Sequence, residues 1–96
     1  MDIDLDSLDV IHQPTRERFE IHVDSLKAEL TYVLRGNTIP FTHTGVPASL
    51  EGNGLGSKLV KAGLDYAREN KLKVQSICWF VSGYVRQHGE YKDLLD

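Results

Sequence analysis

Cysteine is almost missing from this chain. Cys78 stands alone among 96 residues, so no intrachain disulfide can form, and the sequence reads as one made for a reducing, cytoplasmic compartment. Lysine and arginine never gather into a run and the net charge is −3, which argues against nucleic acid as a partner. No apolar stretch approaches the roughly 20 residues of a membrane span, so no membrane partner is expected. His12, His22, His43 and His88 fall at no ligand spacing, and one thiol builds no thiolate cluster, so no metal is expected. Residues 1–9 carry four aspartates and lack the features of a secretory or transit peptide; they read as a frayed, disordered acidic N-terminus ahead of one domain over 10–96. There is no repeat, linker or low-complexity segment. So short a chain has a small core that a bound cofactor or a partner subunit would stabilise, and a monomer or weak homodimer is expected.

What is present is mostly periodicity. Arg18–Val23 alternates, with Phe19, Ile21 and Val23 on one side and Arg18, Glu20 and His22 on the other, as a half-buried strand does. Asp24-Ser25 supplies a turn, and a second strand covers about 27–34 with Ala28, Leu30, Tyr32 and Leu34 on one face. Arg35-Gly36-Asn37 turns the chain again, with positive φ expected at Gly36 or Asn37. The third strand runs over about 38–44, where Ile39 and Phe41 are expected to share a face with His43. Short connections make these an antiparallel meander; Val10–His12 is a possible short strand before it. A helix follows over about 55–70, a fourth strand over 72–77 parallel to the third, and a second helix over 80–88 with Phe80, Val81, Tyr84, Val85 and His88 on one stripe. Tyr91, Leu94 and Leu95 are expected to fold back on the core. The fold class is α+β, an α/β sandwich of meander, glycine loop, central helix, parallel strand and C-terminal helix.

The stretch that joins meander to helix carries the chemistry. Gly52, Gly54 and Gly56 alternate directly ahead of the helical pattern, with Ser57 and Lys58 in its first turn. The first N–H groups of a helix have no partner within it, and glycine lets other atoms approach them. Such a turn is a ready cradle for phosphate. A Walker loop is excluded because Ser57 stands between Gly56 and Lys58, and the dinucleotide fingerprint is excluded by the G-x-G-x-G spacing and the antiparallel strands before it.

What remains, Glu51-Gly52-Asn53-Gly54-Leu55-Gly56 opening a helix, resembles the coenzyme A pyrophosphate loop of GNAT-type N-acetyltransferases, with Glu51 where that family usually has Arg or Gln. The likeness extends to His43-Thr44-Gly45-Val46-Pro47, Cys78, Trp79-Phe80-Val81, Tyr84-Val85 and His88-Gly89-Glu90-Tyr91. It covers about 18–95 and is closest to the minimal, single-domain YjdJ-like branch. The long N-terminal helical region and last strand pair of full-size members, which usually help form the acceptor pocket, are missing.

The resemblance implies an acetyl-CoA-dependent N-acetyltransferase that moves an acetyl group from the coenzyme A thioester to an amine, on a small molecule or a protein lysine. It also implies that the third and fourth strands splay beside the loop. Val46 would meet the pantetheine, and Glu51, Gly52, Asn53, Gly54, Leu55, Gly56, Ser57 and Lys58 would hold the pyrophosphate. Cys78 is a candidate thiol acid or acyl carrier, Tyr84 a candidate acid for the leaving sulfur, and His43 a candidate base. Two other readings stay open: a non-catalytic coenzyme A-binding regulatory domain, and an interaction module whose glycine loop is only structural.

Overall fold

The structure is a computed structural model that describes residues 3–96. Strands β1 (Ile11–Gln13), β2 (Arg18–Val23), β3 (Leu26–Tyr32) and β4 (Thr38–Gly45) form an antiparallel meander. Helix α1 (Leu55–Glu69) then crosses to β5 (Lys73–Ser76), which joins β4 in parallel. Helix α2 (Trp79–Gln87) and a 3-10 segment at Gly89–Leu94 follow. The result is one five-stranded sheet in the order β1-β2-β3-β4-β5. The turns use the expected chemistry: Gly36 adopts φ +58 between β3 and β4, and Asp24 adopts φ +54 in the β2–β3 hairpin.

Alternation along β2 and β3 sends Phe19, Ile21, Ala28 and Leu30 to one face, where they are buried with Ile39, Phe41 and the apolar stripe Leu55, Leu59, Val60, Leu64 and Ala67 of α1. At Gly63 helix and sheet meet at closest range: a Cβ there would lie 2.9 Å from Leu30 Cδ2 and from two ring carbons of Phe41. Val81, Val85, Tyr91 and Leu94 extend the same core, and Leu95 folds back as expected, its main chain bridging to Val74 while its side chain stays 39% exposed.

Two expectations fail for identifiable reasons. Thr42 is an extra residue in the β3–β4 ladder, because Thr31 pairs with His43 but Tyr32 pairs with Phe41. A one-residue bulge inverts all that follows it in the strand. His43 is therefore exposed on the face opposite Ile39 and Phe41, and Thr44 turns inward. The acidic N-terminus also departs from its reading as a disordered end. Residues 5–7 make a 3-10 turn, Ile3, Leu5, Leu8 and Val10 pack on the core, and the Lys58 ammonium donates to the carbonyls of Leu5 and Leu8. Alternating Asp with Ile and Leu gives this segment an apolar side that composition alone conceals. Met1 and Asp2 lie outside the described residues.

The face of the sheet away from the helices is polar, and no helix crosses it among the described residues. Glu20 is nevertheless only 2% exposed there, held by Arg18 Nε at 2.6 Å and His22 Nε2 at 2.9 Å. The His22 hydrogen bond first, then the nearby cations, outweigh burial and hold its carboxyl below the ordinary value. A depressed carboxyl pKa stabilises the fold above the unfolded pKa and loses that contribution as pH falls through the folded one. Urea melts should therefore show Glu20→Gln less stable than the parent at neutral pH, with the gap closing below about pH 4. At the helix–sheet contact, Gly63→Ala should cost about 1–3 kcal/mol by overpacking, seen as a lower thermal midpoint despite alanine's better helix propensity.

Candidate functional site

The site starts where β4 and β5 part. Their parallel ladder runs from Thr38–Lys73 to Phe41–Ser76 and stops. There the Phe41 carbonyl accepts from both the Ile77 and Cys78 N–H groups, at 3.2 and 3.1 Å, as the chain turns into α2. Strand β4 continues through Thr42–Gly45 without a β-strand partner on that side. The expected splay is thus present, and it ends in a fixed hinge.

A cavity of about 650 Å3 fills the gap, within the range of ligand pockets. Its strand wall is His43, Thr44, Gly45 and Val46; its floor is the loop and first turn of α1, with Leu50, Glu51, Gly52, Gly54, Leu55, Gly56 and Ser57; Trp79 and Phe80 close it from α2. Gly52 and Gly54 stand at φ +83 and +82, where a side chain is strained. They turn the chain so that α1 begins at Leu55 with no side-chain cap. Among the described residues, no protein acceptor meets the N–H groups of Gly54, Leu55, Gly56 and Ser57. Four unpartnered donors beside a cavity at the positive end of a 15-residue helix suit an anionic group of diphosphate size.

Not every loop residue serves that cradle. Asn53 Nδ2 donates to the Leu50 and Glu51 carbonyls and braces the loop from behind. The space that glycine leaves at 56 is filled by the Phe80 ring, since a Cβ there would lie 2.9 Å from Phe80 Cζ. Lys58, expected as a cation for the ligand, points instead to the N-terminal turn that it ties down.

The three candidates for chemistry are not brought together. His43 is on the cavity wall, exposed on the outer side of the sheet. Cys78 is 8% exposed, just behind the wall, on the inner side. Its main chain is fixed by the bond to Phe41 and by Ser76 Oγ, which donates to the Cys78 carbonyl at 3.0 Å. Its Sγ lies 3.5 Å from Thr44 Oγ1, at the N-cap of α2. Burial pushes the thiol up, but the Thr44 hydroxyl and the N–H groups of Val81 and Phe80 outweigh it, so the net shift is downward. Tyr84 lies farther along α2 on the other side of Ser57, stacked on His88 at 3.9 Å. Burial raises its pKa.

Thr44 and Trp79 line the cavity, and neither is among the candidate residues of the sequence reading. Thr44 was concealed because the bulge that aims it at Cys78 has no sequence mark. Trp79, at 82% exposure, carried a signal as the chain's one tryptophan directly after its one cysteine.

Comparison with known proteins agrees with this geometry. The sequence profile of the GCN5-related N-acetyl-transferase family matches residues 18–94. Protein NATD1 of Xenopus tropicalis is 32% identical over 93 residues, covering 88% of this chain and 85% of its own; that of Danio rerio is 33% identical, covering 92% and 84%. The solution structure of a GCN5-like protein from Staphylococcus aureus, described there only as a candidate N-acetyltransferase, superimposes with a TM-score of 0.74 at 34% identity, covering 96% of this chain and 91% of its own.

The thiol provides a test that needs no substrate. The rate of Cys78 alkylation by iodoacetamide against pH should show a midpoint below that of an ordinary thiol. Thr44→Val should move that midpoint upward, because the hydroxyl favours the thiolate.

Proposed function

Because this chain belongs to the GCN5-related N-acetyltransferase family, with the fold of that family, we propose that it is an acetyl-CoA-dependent N-acetyltransferase acting on an amine. The observation that carries the reading is the conjunction at one cavity of unbonded helix-terminal amides with an unpaired strand edge. The amides take a diphosphate. The edge of β4 at Thr42–Gly45 offers N–H and C=O groups to an amide-bearing chain lying in the gap, as an added strand would. Such a ligand has a diphosphate at one end and a slender amide-containing arm at the other, which describes coenzyme A. Acetyl-CoA would supply the activated acyl group as a thioester. Gly54, Leu55, Gly56 and Ser57 hold the anionic end, and Val46 and its neighbours on β4 line the arm. Cys78, with its thiol eased toward ionisation by Thr44, stands at the inner end of the gap.

The reading that the domain binds coenzyme A without catalysis makes the same binding prediction and differs only in turnover, so one experiment addresses both. Calorimetry and thermal melts with coenzyme A and acetyl-CoA should show binding, with about 2.7 kcal/mol of stabilisation at a hundredfold excess over Kd. Ser57→Glu should abolish it by placing a carboxylate in the anion seat. The unliganded variant should melt no lower than the parent, since glutamate in a first helical turn is favourable. Absence of binding by the parent would overturn the proposal; binding without acetyl-CoA consumption across a panel of amines would leave the regulatory reading.

A further inference from the structure

The N-terminal segment lies against the anion cradle. Its 3-10 turn, Leu5–Ser7, closes with the Leu8 N–H donating to the Leu5 carbonyl, and the Lys58 ammonium takes the carbonyls of Leu5 and Leu8. The Leu5 side chain leans on Gly54: a Cβ there would lie 3.2 Å from Leu5 Cδ2. Gly54 in turn is bound to Lys58, whose main-chain N–H donates to the Gly54 carbonyl at 3.0 Å. Gly54, Lys58 and Leu5 thus close a ring of three contacts, one at the start of the helix and two made by a segment far off in the chain. Leu5 and Asp6 line a recess together with Gly54, Ser57 and Lys58.

That ring answers a weakness of the cradle. Gly54 is the N-cap of α1 at φ +82, and no side chain caps the helix there. Glycine has the most backbone freedom to lose, so a cradle framed by Gly52 and Gly54 keeps its donors in place only where neighbours restrain it. Asn53 braces the loop through the Leu50 and Glu51 carbonyls; at Gly54 the brace is Leu5. What the segment adds is mechanical rather than electrostatic. Asp4, Asp6 and Asp9 are exposed and share the sign of a diphosphate, and the Lys58 ammonium is turned to main-chain carbonyls.

Resting on the acetyltransferase reading, we infer that residues 5–8 are a positioning strap for the ligand site: Leu5 holds Gly54 in the conformation that presents the α1 amides, and Lys58 acts on ligand affinity by anchoring Leu5 rather than by pairing with phosphate. Donors fixed before the ligand arrives need no ordering when it binds. Loosening the strap therefore weakens binding although no group that touches the ligand has changed. Leu5 and Lys58 are positioning residues of the site.

The test is calorimetry of the full chain with coenzyme A at several sodium chloride concentrations, below the thermal midpoint of every variant, paired with 15N relaxation of the unliganded proteins. Leu5→Ala removes the contact with Gly54 and leaves all charges and both carbonyls. Lys58→Met removes the anchor and keeps an apolar stem. Each should weaken coenzyme A about fivefold or more and lower the order parameters of the Gly54 and Leu55 amides. The double variant should lose little beyond the larger single loss, since both changes break one ring. The salt dependence of binding should stay that of the parent, because no contact between cation and ligand is lost. Val10→Ala, on the same segment and packed on the core, should lower the thermal midpoint yet keep the parent affinity. Parent affinity in Leu5→Ala, equal weakening in Val10→Ala, or a flatter salt dependence in Lys58→Met would each overturn the inference, the last by making Lys58 a ligand cation. If the parent binds no coenzyme A, the acetyltransferase reading falls; parent order parameters in Leu5→Ala would then overturn the hold of the strap on Gly54, and lowered ones would support it.

Discussion

The molecule turns on the end of one hydrogen-bond ladder. Strand β5 stops pairing with β4 at Phe41 and Ser76, where two successive N–H groups converge on one carbonyl. Phe41 cannot follow the departing chain, because its ring is clamped under α1 at Gly63. Strand β4 therefore stays paired with β3 while β5 leaves, and an unpaired edge is the result. Unpaired strand edges are costly and normally covered; here the edge faces a cavity. Much of the rest is arranged around that gap: α1 starts on one wall and α2 on the other, and the residues whose amides stay free at the start of α1 line it.

Charge is distributed to suit this arrangement. The chain has a net charge of −3 and binds an anion, in this reading, chiefly through main-chain dipoles. Lys58 is the nearest cation in the first turn, yet its ammonium serves the N-terminal segment. The carboxylates Glu20 and Glu29 sit on the far side of the sheet.

Much of the architecture was legible because it follows from local rules. The alternation of Phe19, Ile21, Ala28 and Leu30 named the buried face, and the glycine triplet ahead of a helical stripe named the start of α1. The helix expected over about 55–70 runs from Leu55 to Glu69, with Asn70 as its cap. The errors share a cause. His43 was assigned to the wrong face by a bulge whose only trace is Thr42, a residue that any strand accepts. The N-terminal segment was read by its aspartates, whereas its leucines decide where it packs. Lys58 and Tyr84, which the resemblance placed toward the ligand, have partners no local pattern shows: the Leu5 and Leu8 carbonyls for Lys58 and the His88 ring for Tyr84.

By itself, the sequence determined the order and polarity of the elements, the turn conformations and the glycine loop that opens α1, because each depends on residues within a few positions of one another. Only the tertiary structure decided which groups meet at the gap. Thr44 reaches Cys78 across 34 residues, and Glu29 comes beside Gly45 across 16. Those meetings depend on strand register, and register is a global property: one extra residue in β4 inverts the facing of everything beyond it.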